Sequence, residues 1–328
     1  MLAKITSMNE LVLKALREEN HVSGEDLGKR LKISRTAVWK HIKELRKKGY
    51  KIKSSPKLGY SFIESTSLLL PEEITPGLQT QTIGKHLLHH DEITSTQDIA
   101  EELAREGAKE GTVVIAETQT RGRGRKGRSW VSPPEGGVYL SIILRPNLMP
   151  SRIVQIPLIA GVAVSRAVSR VTPLHPRLKW PNDIIINGKK AGGILTEMNS
   201  EVDGVNYVIL GIGINVNTPG HILAGPTQGI ATSLADECGE QVSRVRLVQH
   251  LFSEFEALYA KFLISGFDSL REEWKTLNNT IGSRVRISDE EEIEGKAIDI
   301  DDEGFLLVRK ENGNVRRIIG GDVTLLGI

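Results

Sequence analysis

The sequence predicts a multidomain α+β protein: an N-terminal winged helix-turn-helix, a central mixed α/β domain and a small C-terminal β-barrel. Three observations carry this. Residues 1–65 hold 15 Lys and Arg against 7 Asp and Glu, a net of +8, while the remainder holds 28 against 34, a net of −6. A small basic unit is therefore joined to a larger acidic one, and a basic unit points to nucleic acid. Within it, capped helical segments lead into a Pro/Gly turn between two extended stretches. From Ile281 the pattern changes to short alternating segments. The 328 residues suffice for two or three domains. The expected boundaries are 1–65, a linker at 66–82, a central domain at 83–280 and a barrel at 281–328.

Residues 8–18 place Leu11, Leu13, Ala15 and Leu16 among charges and read as a helix. Ser23 caps a second helix carrying Leu27 and Leu31, with an acid three residues on. Ser34 caps a third, running to about Lys48 and stopping at Gly49. Val38, Ile42 and Leu45 share one face of it. Arg35, Thr36, Lys40, Lys43 and Lys47 leave the other strongly basic, so Arg35, Thr36, Lys40 and Lys43 are the candidate DNA contacts. Residues 50–63 read as two strands, the wing, with Lys53 to Lys57 near its tip. A solvated basic hairpin that binds protein is the plain alternative; charge, caps and wing together favour DNA.

Residues 64–80 are rich in Ser, Thr and Pro and read as a linker. Leu87–Ile93 is a candidate strand, and Ser95-Thr96-Gln97-Asp98 caps a helix to about Glu106. That helix start is a plain cap or a set of hydroxyls and free N–H groups facing a polar ligand. Thr112–Glu117 is an apolar strand that delivers Gln119. Gly137–Leu144 is another, and 152–171 an apolar helix. Arg177–Trp180 ends in Trp-Pro-Asn-Asp. Ile184–Ile186 and Lys190–Met198 flank Asn187-Gly188, a strong hairpin signal. Val208–Val216 is a strand, 218–232 a Gly/Pro-rich mobile segment, and 244–264 and 267–277 helices. Five short strands follow, with turns at Glu303-Gly304 and Asn312-Gly313.

Arg121-Gly-Arg-Gly-Arg-Lys-Gly-Arg128, followed by Ser129-Trp130, has no apolar face and reads as a loop. Gly122, Gly124 and Gly127 match G-x-G-x-x-G, but that fingerprint must open a helix, and Ser-Trp-Val-Ser-Pro-Pro-Glu-Gly-Gly cannot be one. Arginine forks and close-approaching backbone suit phosphate or carboxylate. The plain alternative is a solvated basic loop. A loop closing over a phosphorylated, acyl-activated small molecule fits better.

One cysteine, Cys238, excludes an internal disulfide and suits a reducing cytoplasm. The start lacks a long apolar run after its charge, and no stretch of 18 uninterrupted apolar residues occurs. Neither a signal peptide nor a membrane span is expected.

Four signatures resemble one family over essentially the whole chain. They are Ser95-Thr96-Gln97; Gln119 with Gly122-Arg-Gly-Arg-Lys-Gly127; Lys179-Trp-Pro-Asn-Asp183 followed by Lys190-Ala-Gly-Gly-Ile-Leu195; and Gly211-Ile-Gly-Ile-Asn215. The chain resembles biotin protein ligase in its bifunctional ligase–repressor form. The resemblance implies a class II synthetase-like central domain of the biotin/lipoate ligase type and an SH3-like barrel behind it. Gln97 stands where some relatives carry asparagine, which keeps an amide. The implied substrates are biotin and ATP with Mg²⁺, and the implied intermediate and co-repressor is biotinoyl-5′-AMP. The implied partners are a biotin carboxyl carrier domain, operator DNA and a second copy of the chain.

The implied roles follow the chemistry. Two anions must meet, so cations must neutralise and align them. Lys190, Arg123 and Arg125 are the expected catalytic cations. Ser95, Thr96, Gln97, Gln119, Arg123, Gly124, Arg125 and Lys190 would bind biotin. Arg125, Arg128, Asn182, Asp183 and Asn215 would bind ATP, with Mg²⁺ near Asp183. Trp130 would pack on the closed loop or lie in the core. The loop is expected to be mobile without ligand, its charges unpaired. The barrel, lacking a phosphate pattern, is expected to serve acceptor transfer more than adenylation. A lipoate ligase and a ligand-sensing repressor with an inactive enzyme domain are the alternatives. The Gly-Arg-Gly-Arg loop opposes the first, and the intact set Lys190, Arg123, Arg125 and Asn182 opposes the second.

Overall fold

Three serines start the three N-terminal helices. Ser7, Ser23 and Ser34 each have extended backbone and accept a hydrogen bond from the N–H three residues on. They open α1 (Met8–Glu18), α2 (Gly24–Leu31) and α3 (Arg35–Lys47). The structure, a computed structural model, describes residues 7–201, 204–223, 231–288 and 291–326. Part of the segment expected to be mobile, 224–230, and residues 289–290 lie outside them.

The chain divides into two units, Met1–Leu68 and Leu69–Ile328. In the first, Val12, Leu13, Leu16, Leu27, Val38, Ile42 and Leu45 form a buried core. Val12 takes the inward position expected of Leu11, which is only half-buried. The turn between α2 and α3 holds Lys32 in the left-handed region at φ 55°. β1 (Lys51–Ser55) and β2 (Gly59–Glu64) pair antiparallel as the wing. Val22 and Tyr60 add a reciprocal backbone pair at 2.9 and 2.8 Å, tying the wing to the helices.

The second unit begins earlier than its sequence suggests. Leu69, Leu70 and Ile74 are buried, and Pro71–Ile74 forms a short helix, α4. The Glu256 carboxylate accepts the N–H groups of Gln81, Thr82 and Ile83. The expected linker at 66–82 is thus mostly part of this unit. The Ser/Thr/Pro composition hid the apolar anchoring by Leu69, Leu70 and Ile74.

The central sheet of the described residues has seven strands in the order β3-β4-β5-β9-β8-β7-β6. They are β3 (His86–Ile93), β4 (Thr112–Gln119), β5 (Gly137–Leu144), β6 (Arg177–Lys179), β7 (Asp183–Ile186), β8 (Lys189–Glu201) and β9 (Gly204–Asn215). β3 and β4 run parallel; the other neighbours are antiparallel. The β7–β8 turn places Asn187 at φ 49° and Gly188 at φ 77°, as an Asn-Gly hairpin requires. One sheet face carries α5 (Thr96–Arg105), whose Ala100 and Ala104 pack on Val114, Ile143, Tyr207 and Ile209. The other carries α6 (Ile156–Val171) and, after the short α7 (Gly220–Leu223) and α8 (Leu234–Cys238), α9 (Arg244–Ser265) and α10 (Asp268–Leu277). Pro150–Val171 is long and apolar enough to cross a membrane, but it is a core helix that the sheet and α9 cover.

The last five described strands are β10 (Arg284–Ser288), β11 (Glu292–Ile300), β12 (Leu306–Arg309), β13 (Val315–Ile318) and β14 (Asp322–Leu326). They form an antiparallel sheet in the order β13-β12-β11-β10-β14. Its buried residues Val285, Ile287, Ala297, Leu306 and Val308 join the same core as α6 and α9. Trp180 seals this junction, its Nε1–H donating to Gly304 O at 3.0 Å and its N–H to Thr280 Oγ1 at 2.9 Å.

Candidate active site

Two glycines of β9 make the floor of the site. A Cβ on Gly211 would lie 2.6 Å from Gln97 Oε1, and one on Gly213 would lie 2.7 Å from the Trp130 indole. Only bare backbone lets these side chains lie flat on the strand. Above that floor opens a cleft of about 430 Å³. Ser95, Thr96, Gln97, Gln119, Arg123, Gly124, Arg125, Arg128, Asn182, Asp183 and Lys190 all line it.

One wall is neutral and polar. It comes from the start of α5 and the end of β4, which the parallel β3–β4 pairing sets side by side. Gln119 Oε1 accepts from Thr96 N–H at 2.9 Å and from its hydroxyl at 3.2 Å, while Gln119 Nε2 donates to Ser132 Oγ at 2.8 Å. Gln97 Nε2 donates to Ile209 O at 3.1 Å. Ser141 Oγ lies 2.9 Å from both Thr96 Oγ1 and Gln97 Oε1. Ser95, Thr96, Gln97 and Ser141 are all buried. A buried polar network of this kind is rigid because each broken bond would orphan a group away from water.

The opposite wall is cationic. Lys190 Nζ lies 2.6 Å from Asp183 Oδ1, and Lys179 Nζ lies 3.3 Å from Asp183 Oδ2. Burial pushes the Asp183 carboxyl up, but Lys190 and then Lys179 outweigh it and hold it below its usual range. Arg125 Nη1 donates to Asn182 Oδ1 and to Gly321 O, both at 3.2 Å. Asn182 Nδ2 in turn donates to Ile194 O at 2.7 Å.

The glycine–arginine loop is not a set of unpaired charges. Arg123 pairs with Asp98 at 2.7 Å and with Glu197; Arg128 pairs with Asp322; Lys126 Nζ donates to Ser288 O at 3.1 Å. The loop folds on itself through Gly124 N–H to Arg128 O at 2.7 Å and Trp130 N–H to Gly122 O at 2.8 Å. Its partners lie far away in sequence, which is why the sequence left the charges without any. The barrel reaches the same cleft: Asp322, Val323, Thr324 and Leu325 of β14 line it.

Trp130 resolves in neither of the two expected ways: it lies on the cleft floor. Its ring is in contact with Gly193 and Gly213, and Lys190 Nζ sits 5.6 Å from a ring centroid. Its buried Nε1–H has no protein acceptor among the described residues. Asn215 departs from expectation. It is buried outside the main cleft, where Nδ2 donates to Thr232 O at 3.1 Å, and it lines a small neighbouring pocket with Trp130, Lys190 and Ala231. The sequence reading missed Ser132, Ser141 and Asp322. A lone aliphatic hydroxyl in the run Gly137–Leu144 was the available signal for Ser141; Asp322 had none.

No three His, Cys, Asp or Glu side chains among the described residues converge as a metal site. Asp183 is a single carboxylate already shared by two lysines.

In the N-terminal unit, Arg35, Thr36, Lys40 and Lys43 are all exposed on α3, and Lys53 and Lys57 are exposed on the wing. Trp39, which the sequence reading passed over, lies among them and is 51% exposed.

A helix-turn-helix joined to a domain whose cleft sets a cationic wall against a neutral polar one defines a carboxylate-activating ligase with a nucleic-acid-reading arm. Three family models match: an HTH domain at residues 9–61, the Biotin/lipoate A/B protein ligase family at 90–215, and the Biotin protein ligase C terminal domain at 280–326. The bifunctional ligase/repressor BirA of Bacillus subtilis is 42% identical over 93% of this chain and 94% of its own. The chain belongs to the biotin protein ligase family, in the form that carries a helix-turn-helix domain. BirA of Escherichia coli is 32% identical over 92% of each chain. Biotin protein ligase from Aquifex aeolicus, solved in complex with biotin and ATP, superposes with a TM-score of 0.63 at 30% identity. It covers 74% of this chain and 99% of its own.

Proposed function

We propose that the cleft joins biotin to ATP and then passes biotin to a lysine of a biotin carboxyl carrier domain. A biotin carboxylate oxygen attacks the α-phosphorus, the bond to pyrophosphate breaks, and biotinoyl-5′-AMP forms. The acceptor amine then attacks the acyl carbon, AMP departs with the bonding pair, and the amine proton passes to solvent. The observation that carries this reading is the meeting of the two walls over one glycine floor. The ureido ring is neutral and polar, and it suits Ser95, Thr96, Gln97 and Gln119. The carboxylate and α-phosphate suit Lys190, Arg123 and Arg125. Arg128 would hold the distal phosphates, and Asn182 and Asp183 the nucleotide side.

Each of three cations rests on a protein carboxylate: Lys190 on Asp183, Arg123 on Asp98 and Glu197, Arg128 on Asp322. Substrate anions take over these partners, so the cations are held in place before the reaction rather than recruited during it. Loop closure then keeps water from the anhydride.

Mass spectrometry of a carrier domain after incubation with biotin and Mg-ATP tests the reading. A mass gain of one biotin on one lysine is the expected result. Gain from lipoate in place of biotin would make it a lipoate ligase; no ATP–pyrophosphate exchange would make it a sensor only. We propose further that the N-terminal unit binds operator DNA as a dimer favoured by biotinoyl-5′-AMP, and that the protein works in the cytoplasm. Operator affinity and self-association should rise together with biotin and ATP, read by gel shift and sedimentation at one salt concentration. An operator affinity indifferent to biotin and ATP would leave the unit a constitutive tether.

A further inference from the structure

We infer that Trp39 reads operator sequence directly, by laying its indole against the C5-methyl of a thymine in the major groove. The inference rests on the proposed DNA binding of this unit. α3 spans Arg35–Lys47 and buries Val38, Ile42 and Leu45. At about 100° per residue, Arg35, Thr36, Trp39, Lys40, Lys43 and Lys47 fall within an arc of about 140° beside the buried stripe. All six are exposed, and none of them is acidic. The unit around them carries a net +8 over residues 1–65.

The Trp39 indole is 51% exposed, so about half of a large apolar ring is left uncovered by the fold. The hydrophobic positions of α3 are already filled, so packing does not explain it. Lys43 Nζ lies 5.3 Å from the ring centroid, which steadies the ring while keeping it at the surface. Trp39 is the fifth residue of the helix, in the N-terminal half that meets base edges when such a helix docks. Its basic neighbours are matched to phosphate, which positions the helix but carries no sequence information. A flat apolar ring is matched instead to the one apolar group the major groove displays, the thymine methyl. The surrounding charge also decides against a protein partner, whose contact face would be depleted of Lys around an aromatic anchor.

The test uses the full-length chain with biotin and Mg-ATP. A duplex is first selected from a random-sequence library, and a scrambled duplex of the same length serves as control. Trp39→Ala should weaken binding to the selected duplex about tenfold, the scale of one specific base contact, and leave the scrambled duplex unchanged. Replacing single thymines by uracil, which removes only the methyl, should cost the wild type a similar factor at one position per half-site. The same uracil should cost Trp39→Ala nothing further. Trp39→Phe, which keeps a flat apolar face, should retain most of the selectivity. The inference is overturned if Trp39→Ala binds the selected duplex normally, if it loses equally on both duplexes, or if no uracil affects the wild type. The uracil arm reads the contact in unaltered protein even if a Trp39 variant misfolds. Should the wild type enrich no sequence at all, DNA reading by the unit fails together with this inference. If the wild type selects a sequence that Trp39→Ala binds normally, this inference alone fails and DNA reading by the unit stands.

Discussion

The Lys190 ammonium and the Asp183 carboxylate meet at 2.6 Å across the β7–β8 hairpin, inside the cleft. The pair holds the cation in place beside its counter-ion. Four expectations follow from this and neighbouring contacts.

Lys190→Ala removes the cation assigned to the reacting centre from a strand rather than a loop. Loss of one transition-state electrostatic contact costs about 3 kcal/mol, a fall of roughly 10²–10³ in adenylation rate. Biotin-dependent ATP–pyrophosphate exchange in a folded variant measures it. A near-normal rate would remove Lys190 from its role.

Arg128 is exposed and Asp322 half-buried, both open enough to solvent that their ion pair adds little stability. It does fasten the loop to β14. Asp322→Asn should therefore leave the melting temperature unchanged but speed tryptic cleavage between Arg121 and Arg128. Biotin with ATP should slow cleavage in both proteins. Identical rates for wild type and variant without ligand would show that the clasp does not restrain the loop.

Glu117 is a buried carboxylate whose partners are Arg244 at 2.8 Å, His89 at 3.3 Å and the Leu69 N–H at 2.6 Å. Burial pushes its carboxyl up, but His89, Arg244 and the Leu69 N–H prevail and hold it below the ordinary 4.5. The unfolded chain then binds the proton more readily than the folded one. Stability from Glu117 is fully present above pH 4.5 and is lost as pH falls through the lower folded value. Glu117→Gln leaves Arg244 buried without its counter-ion and should cost about 3 kcal/mol near neutrality. It should also flatten the acid limb of stability against pH. Urea unfolding between pH 3 and pH 7 (values set by roughly the carboxylate range) reads both effects.

Deletion of residues 1–65 should spare biotin adenylation, because all the cleft residues lie beyond them. Extending the cut past Leu70 should not. It would remove two buried leucines and the N–H that Leu69 donates to Glu117, at about 2–5 kcal/mol per large core side chain lost. Removing residues from Ile281 onward should abolish adenylation and acceptor transfer alike, since β14 lines the cleft and the barrel shares the central core. Exchange assays and thermal melts of the three truncations separate these outcomes.

The sequence by itself determined the local elements and much of the site's chemistry. Serine caps, the Asn187-Gly188 turn and the change of period near Ile281 are decided by neighbours a few residues apart, so they are written in the chain directly. Lys190, Asn182, Gln119 and Arg125 were picked out because the short motifs that carry them resemble those of biotin protein ligases. Tertiary structure decided what those groups touch. Arg128 meets Asp322, Arg123 meets Glu197, and Ser141 meets Thr96 across separations that no local pattern encodes. It also moved Asn215 out of the cleft, laid Trp130 on its floor and drew Leu69 into the core. The reason is physical: propensity and periodicity act over one or two turns of chain, whereas charge pairing and burial are settled by whichever distant groups the sheet order brings within a few ångströms.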